Sequence, residues 1–151
     1  MNNITVSPYS KITDYIYIGT NDAYKPTLML KLIKLGIQAD ISVEGERFDT
    51  PYGFDYFLWL PTVDFKAPHH NQLKLGVTAL DFFVRNKIKV FVHCKKGQGR
   101  SPTLVAAYFI SEGLTVDQAI DKIKLKRPEI VIGEDQRQAL KLFEKSMKKT
   151  N

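Results

Sequence analysis

The chain has 151 residues, 44% of them apolar, and its 22 basic against 16 acidic side chains give a formal net charge of +6. That length suits one folded domain with a sizeable core, and no apolar run reaches the roughly 18 residues that a membrane-crossing helix needs. A single cysteine allows no internal disulfide and predicts a reducing, cytoplasmic setting, and with three histidines it lacks the spacing of a structural zinc site. Met1 to Ile4 shows neither the basic start nor the apolar run of a secretory leader.

Ile12 to Gly19, rich in Tyr and Ile, predicts a first strand. Thr20 to Lys34 follows as a helix, with Leu28, Leu32 and the adjoining Leu35 on one face and Gly36 as its stop. Ile37 to Val43 and Phe54 to Leu60 read as strands, and the polar stretch Glu44 to Gly53 between them as a loop. Asn71 to Asn86 places Leu73, Val77, Leu80 and Val84 on one helical face. Lys89 to His93 is a strand and Pro102 to Ile110 an apolar helix. Thr115 and Gln118 form a capping box for a helix ending before Pro128, and Glu134 to Lys148 is a last helix with acids first and lysines last. Strands alternating with helices predict a mostly parallel sheet with helices on both faces. Lys122, Lys124, Lys126, Arg127, Lys141, Lys145, Lys148 and Lys149 read as solvated basic faces, which also attract acidic partners.

The chemistry concentrates in His93-Cys94-Lys95-Lys96-Gly97-Gln98-Gly99-Arg100-Ser101. A loop between a strand and a helix N-terminus aims backbone N–H groups and partial positive charge at one spot, which favours an anion there and a thiolate at Cys94. Gly97 and Gly99 permit positive φ and close approach of the backbone. Arg100 offers a planar fork for two phosphate oxygens. Ser101 is placed to hydrogen-bond the Cys94 sulfur, Lys95 and Lys96 widen the positive field, and His93 orients the loop through its ring nitrogens.

His93-Cys94-x-x-Gly97-x-x-Arg100-Ser101 resembles the HCxxGxxR[ST] loop of the cysteine-dependent protein tyrosine phosphatase superfamily, and Ser101-Pro102-Thr103 resembles its small, archaeal or atypical dual-specificity branch. The likeness extends from about Lys11 to Met147. It implies one catalytic domain over residues 1–151, an α/β fold whose central, mostly parallel sheet has four to five strands flanked by helices. It further implies a cysteinyl-phosphate mechanism without cofactor or metal. Asp64, in Leu60-Pro61-Thr62-Val63-Asp64-Phe65-Lys66-Ala67-Pro68, matches the family's general acid; Asp55 lies inside a strand pattern and matches less well. Lys66 beside Asp64 favours the carboxylate and so works against that role. Gln136, after the pair Arg127-Pro128, resembles the family's water-positioning glutamine, although Gly133-Glu134-Asp135 departs from the usual Thr-Tyr-Glu before it. His69 and His70 read as solvent-facing.

No long insertion separates Ser42 from Asp64 to wall a deep slot, so the expected substrates are proteins phosphorylated on tyrosine and on serine or threonine. The alternative is an anionic phosphorylated lipid or small molecule of phosphoinositide or phosphatidylglycerophosphate type. A lysine directly after the cysteine suits it, while the uncharged Gln98 stands where lipid-selective members often carry a second base. An RNA 5′-triphosphatase and a non-catalytic phosphate-binding module are more distant readings, and no obligate nucleic-acid partner is expected. Arsenate reduction would need further cysteines.

Overall fold

Val90, Phe91 and Val92 lie at the centre of the sheet, as their unbroken apolar run requires. They belong to β5 (Lys89–His93), which runs between β2 (Ile16–Gly19) and β3 (Ile37–Glu44), with β1 (Tyr9–Lys11) and β4 (Tyr56–Thr62) at the edges. The order β1-β2-β5-β3-β4 is parallel except for the β1–β2 pair. This computed structural model describes residues 5–149, so the leader reading at Met1 to Ile4 lies outside the described residues. Among the described residues the helices are α1 (Pro26–Lys34), α2 (His70–Arg85), α3 (Arg100–Ser111), α4 (Val116–Lys126) and α5 (Glu134–Lys149). None of them is long and apolar enough to cross a membrane.

Alternation along each strand divides the core in two. Val90 and Val92 join Ile16, Ile18 and Ile41 in the larger cluster with residues of α2 to α5, whereas Phe91 packs with Tyr17, Ala23, Leu32 and Ile37 beside α1. On β3, Ala39, Ile41 and Val43 enter the larger cluster. Their neighbours Asp40, Ser42 and Glu44 therefore share the opposite, thinner face, and all three are buried. Helix α3 is buried from Arg100 to Ile110, which explains why its sequence carries no amphipathic stripe.

Several predicted boundaries move for local reasons. The helix expected over 20–34 is interrupted: Thr20 caps a short 3-10 turn, Asn21–Tyr24, and Lys25 turns extended before Pro26 starts α1. Proline disfavours helical backbone in the residue before it and suits the first helical turn. The strand expected over 12–19 begins at Ile16, because Thr13 Oγ1 accepts hydrogen bonds from the N–H groups of Tyr15 and Ile16 and turns the chain. β4 runs on to Thr62 through Pro61, which its edge position tolerates. His69 is exposed, as expected, but it also caps α2: its Nδ1 accepts the Gln72 N–H while Gln72 Oε1 accepts the His69 N–H.

The capping box expected at α4 is present, with Thr115 Oγ1 accepting from Gln118 N at 3.2 Å and Gln118 Oε1 from Thr115 N at 3.0 Å. Thr115→Ala should therefore lower stability by about 1 kcal/mol, read as a reduced urea midpoint with an unchanged slope.

Candidate active site

The parallel strands β3, β4 and β5 end on one edge of the sheet, with Ser42 opposite His93 and Glu44 opposite Thr62. Loops leaving those ends share a rim, where ligands of open α/β sheets bind. Cys94, Glu46 and Asp64 leave β5, β3 and β4 respectively on that rim.

The loop after Cys94 is shaped by what holds its carbonyls. Lys95 C=O accepts from Asn21 N, Lys96 and Gly97 C=O from the Arg127 guanidinium, and Gln98 C=O from Val131 N. With four successive carbonyls turned to the scaffold, the N–H groups line the opposite, concave side. Gly97 N–H donates to Cys94 Sγ at 3.2 Å, and Ser101 Oγ lies 3.3 Å from the same sulfur. The N-terminus of α3 adds its partial positive charge at Arg100.

The two glycines serve different ends. Gly97 has φ +64°, and a Cβ there would stand 2.5 Å from Gly19 O. Gly99, expected to share that conformation, has φ −123°. A Cβ there would lie 2.9 Å from Gln136 Nε2 and would push that side chain aside.

Arg100 is buried. Its Nη1 donates to Glu46 Oε1 and to Thr62 C=O, and its Nη2 lies 3.4 Å from Asp64 Oδ1. Burial opposes its charge, but Glu46, Cys94 and Asp64 outweigh that cost and raise its pKa above the ordinary arginine value. Nη1 is thus committed to the scaffold, which leaves Nε and Nη2 as the edge of the fork for two phosphate oxygens.

Cys94, Arg100 and Asp64 line one cavity of about 370 Å³ together with Phe65, Lys95, Lys96, Gln98, Gly99, Val131, Gly133 and Gln136. Lys66, expected to act on Asp64, has its ammonium 3.8 Å from Asp135. Gln136 is buried in the cavity wall, its Oε1 accepting from Gly133 N and its Nε2 donating to Lys66 C=O. Gln98 donates instead to Glu129 C=O. His93 stays out of the cavity but does not orient the loop through its ring. Its Nε2 lies 2.9 Å from Tyr24 Oη and 3.1 Å from Asp40 Oδ1, and its Nδ1 has no hydrogen-bond partner among the described residues.

Reasoning from sequence missed Glu46, Asp40 and Tyr24, and placed Arg127 on a basic surface. Arg127 is fully buried and also donates to Ser7 C=O and Ser10 Oγ, with Glu129 at 3.3 Å. The only sequence signal for this was Pro128, which ends α4 and turns Arg127 inward. Arg127→Met removes the cation, leaving Glu129 with the Ser7 N–H but without its ion-pair partner and leaving four backbone or hydroxyl acceptors without the guanidinium. The cost should be roughly 3–5 kcal/mol, and phosphate-analogue binding should weaken further because the Lys96 and Gly97 carbonyls are released. Urea titration and tungstate calorimetry measure the two effects separately.

The family model for the dual specificity phosphatase catalytic domain matches residues 16–146. Phosphatidylglycerophosphate phosphatase PTPMT2 of Arabidopsis thaliana is 28% identical over 148 residues, covering 89% of this chain and 62% of its own length. Human dual specificity protein phosphatase 5 is 27% identical over 119 residues, covering 78% of this chain and 30% of its own. The chain thus spans less than two thirds of either relative. The crystal structure of PTPMT1 in complex with PI(5)P is 26% identical, with a TM-score of 0.82 over 95% of this chain and 99% of that one.

Proposed function

The chain belongs to the dual specificity phosphatase family, and on that premise we propose that it hydrolyses phosphomonoesters through a cysteinyl-phosphate intermediate, acting foremost on proteins phosphorylated on tyrosine and on serine or threonine. The observation that carries this reading is the meeting of Cys94, Arg100 and Asp64 on one cavity. Cys94 Sγ attacks phosphorus in line with the ester oxygen. The P–O bond breaks as the P–S bond forms, and Asp64 delivers its proton to the departing oxygen. Arg100 and the loop N–H groups hold the equatorial oxygens throughout. A water then attacks the phosphoenzyme, Asp64 takes its proton, the P–S bond breaks, and the Ser101 hydroxyl stabilises the returning thiolate. Gln136, in the wall of the same cavity, positions that water.

A second reading, a lipid phosphate monoester as substrate, is favoured by the rim. Phe65 is 81% and Val131 66% exposed, and both border the cavity beside Lys95 and Lys96. Apolar side chains next to ammonium groups suit an anionic headgroup at a membrane surface.

The test is phosphate release, with chelator present, from phosphotyrosyl and phosphoseryl peptides, phosphoinositides, phosphatidylglycerophosphate and triphosphate-ended RNA. Peptides should be turned over with the highest kcat/KM, and acid quenching should trap phosphate on Cys94. Lipids ahead of peptides would establish the second reading. No turnover of any substrate would overturn both.

A further inference from the structure

The thinner face of the sheet holds a buried polar group that phosphoryl transfer does not use. Alternation along β3 sends Glu44 to the same side as His93 of β5, and Asp49 folds in from the loop that follows β3. All three are buried, and one ligand-type atom from each lies within 4.8 Å of the other two. None of them lines the catalytic cavity. We propose that Glu44, Asp49 and His93 bind a divalent first-row transition-metal ion at this site.

The hydrogen bonding points to a ligand. Tyr24 Oη donates its only proton to Asp40 Oδ2, so its 2.9 Å contact with His93 Nε2 requires that nitrogen to carry the hydrogen. In the neutral ring the lone pair then sits on Nδ1, a fully buried nitrogen with no hydrogen-bond partner among the described residues. An imidazole whose far N–H is held by an acceptor, beside a carboxylate, is the usual outer shell of a metal-bound histidine. Asp49 is equally underused. Its Oδ1 pairs with Arg47 Nε at 2.9 Å and the Ser42 hydroxyl is a hydrogen-bonding neighbour, but among the described residues no donor is well aligned on either carboxylate oxygen. Glu44 is oriented by Asn21, whose Nδ2 donates to both its oxygens at 3.2 Å.

Charge supports the same assignment. Among the described residues, the basic side chains that Asp40, Glu44 and Asp49 face are Arg47 and His93. A divalent ion held there would bring positive charge to these buried carboxylates. One imidazole nitrogen with carboxylate oxygens suits Zn²⁺ and its first-row neighbours. At metal–ligand distances of ~2.1 Å the three ligand atoms would draw together by about 1 Å, a movement that the loop carrying Asp49 can supply. Glu46, the partner of Arg100, lies between Glu44 and Asp49, so the ion would pin the segment that holds the guanidinium.

The experiment uses the Cys94→Ser protein, so that no thiolate competes for the ion and no catalytic activity is read. Zn²⁺ is titrated by calorimetry, and the metal retained after gel filtration is counted by mass spectrometry. One Zn²⁺ per chain is expected, with protection of residues 45–50 in hydrogen exchange. Adding Asp49→Asn should weaken binding by at least tenfold. Asp40→Asn, which removes an outer-shell partner of His93, should weaken it by roughly 10–100-fold and serves as the second variant should the first fold poorly. Absence of stoichiometric binding, or binding unchanged by both substitutions, overturns the proposal and leaves the phosphatase reading untouched.

Discussion

Cys94→Ser should give a folded protein that still binds tungstate but releases phosphate at least roughly 10⁴-fold more slowly, the scale seen when a nucleophile is removed from an enzyme. A hydroxyl at this position needs a base to become a nucleophile, and none is in hydrogen-bond contact with residue 94. His93 is adjacent in sequence, but its Nε2 is turned to Tyr24 and Asp40, away from the cavity. The groups nearest Cys94 Sγ are the Gly97 N–H and the Ser101 hydroxyl, which stabilise a thiolate and accept no proton from a serine. Ligand binding should survive, because the anion is held by Arg100 and by N–H groups fixed through Asn21, Arg127 and Val131. The paired measurements are turnover of a phosphotyrosyl peptide and calorimetric titration with tungstate. Substantial residual turnover would remove Cys94 from the nucleophile role, whereas loss of tungstate binding would mean that the sulfur also builds the cradle.

The loop from His93 to Ser101 could be picked out of the sequence as the candidate site because its chemistry is local. Nine consecutive residues supply the sulfur, the glycine turn, the guanidinium and the hydroxyl, and the strand and helix that flank them follow from periodicity. Asp64 was legible by a different route: it follows a strand that ends on the same edge as β5. What stayed hidden depends on partners far along the chain. Glu46 meets Arg100 from a loop read only as polar, and Arg127 reaches back to Ser7 and Ser10. No periodicity separates such an arginine from the solvated lysines before it. Asp40 interrupts an apolar strand, a sign that a polar partner must wait inside, but only the fold shows that the partners are His93 and Tyr24.

Asp64→Asn should be costly only where the departing oxygen needs a proton. Phosphoserine leaves as an alkoxide unless it is protonated, and loss of a positioned acid there is worth roughly 10²–10⁴-fold. p-Nitrophenyl phosphate leaves as a stable phenolate and should slow far less. The geometry allows this because the loop carrying Asp64 is tied down. Ala67 N–H donates to Asp135 Oδ2 at 2.9 Å, Gln136 Nε2 to Lys66 C=O at 3.2 Å, and Lys66 pairs with Asp135 instead of with the acid. Asp64 then stands on the cavity with its Oδ1 3.4 Å from Arg100 Nη2, within reach of an ester oxygen on a phosphate held by Arg100. Asp135→Ala should therefore reproduce the leaving-group dependence in milder form, since it loosens the tether while leaving the carboxyl in place. The comparison needs kcat/KM for both substrates in wild type, Asp64→Asn and Asp135→Ala. An equal loss on both substrates in Asp64→Asn would assign that aspartate to binding and would leave the proton to another donor.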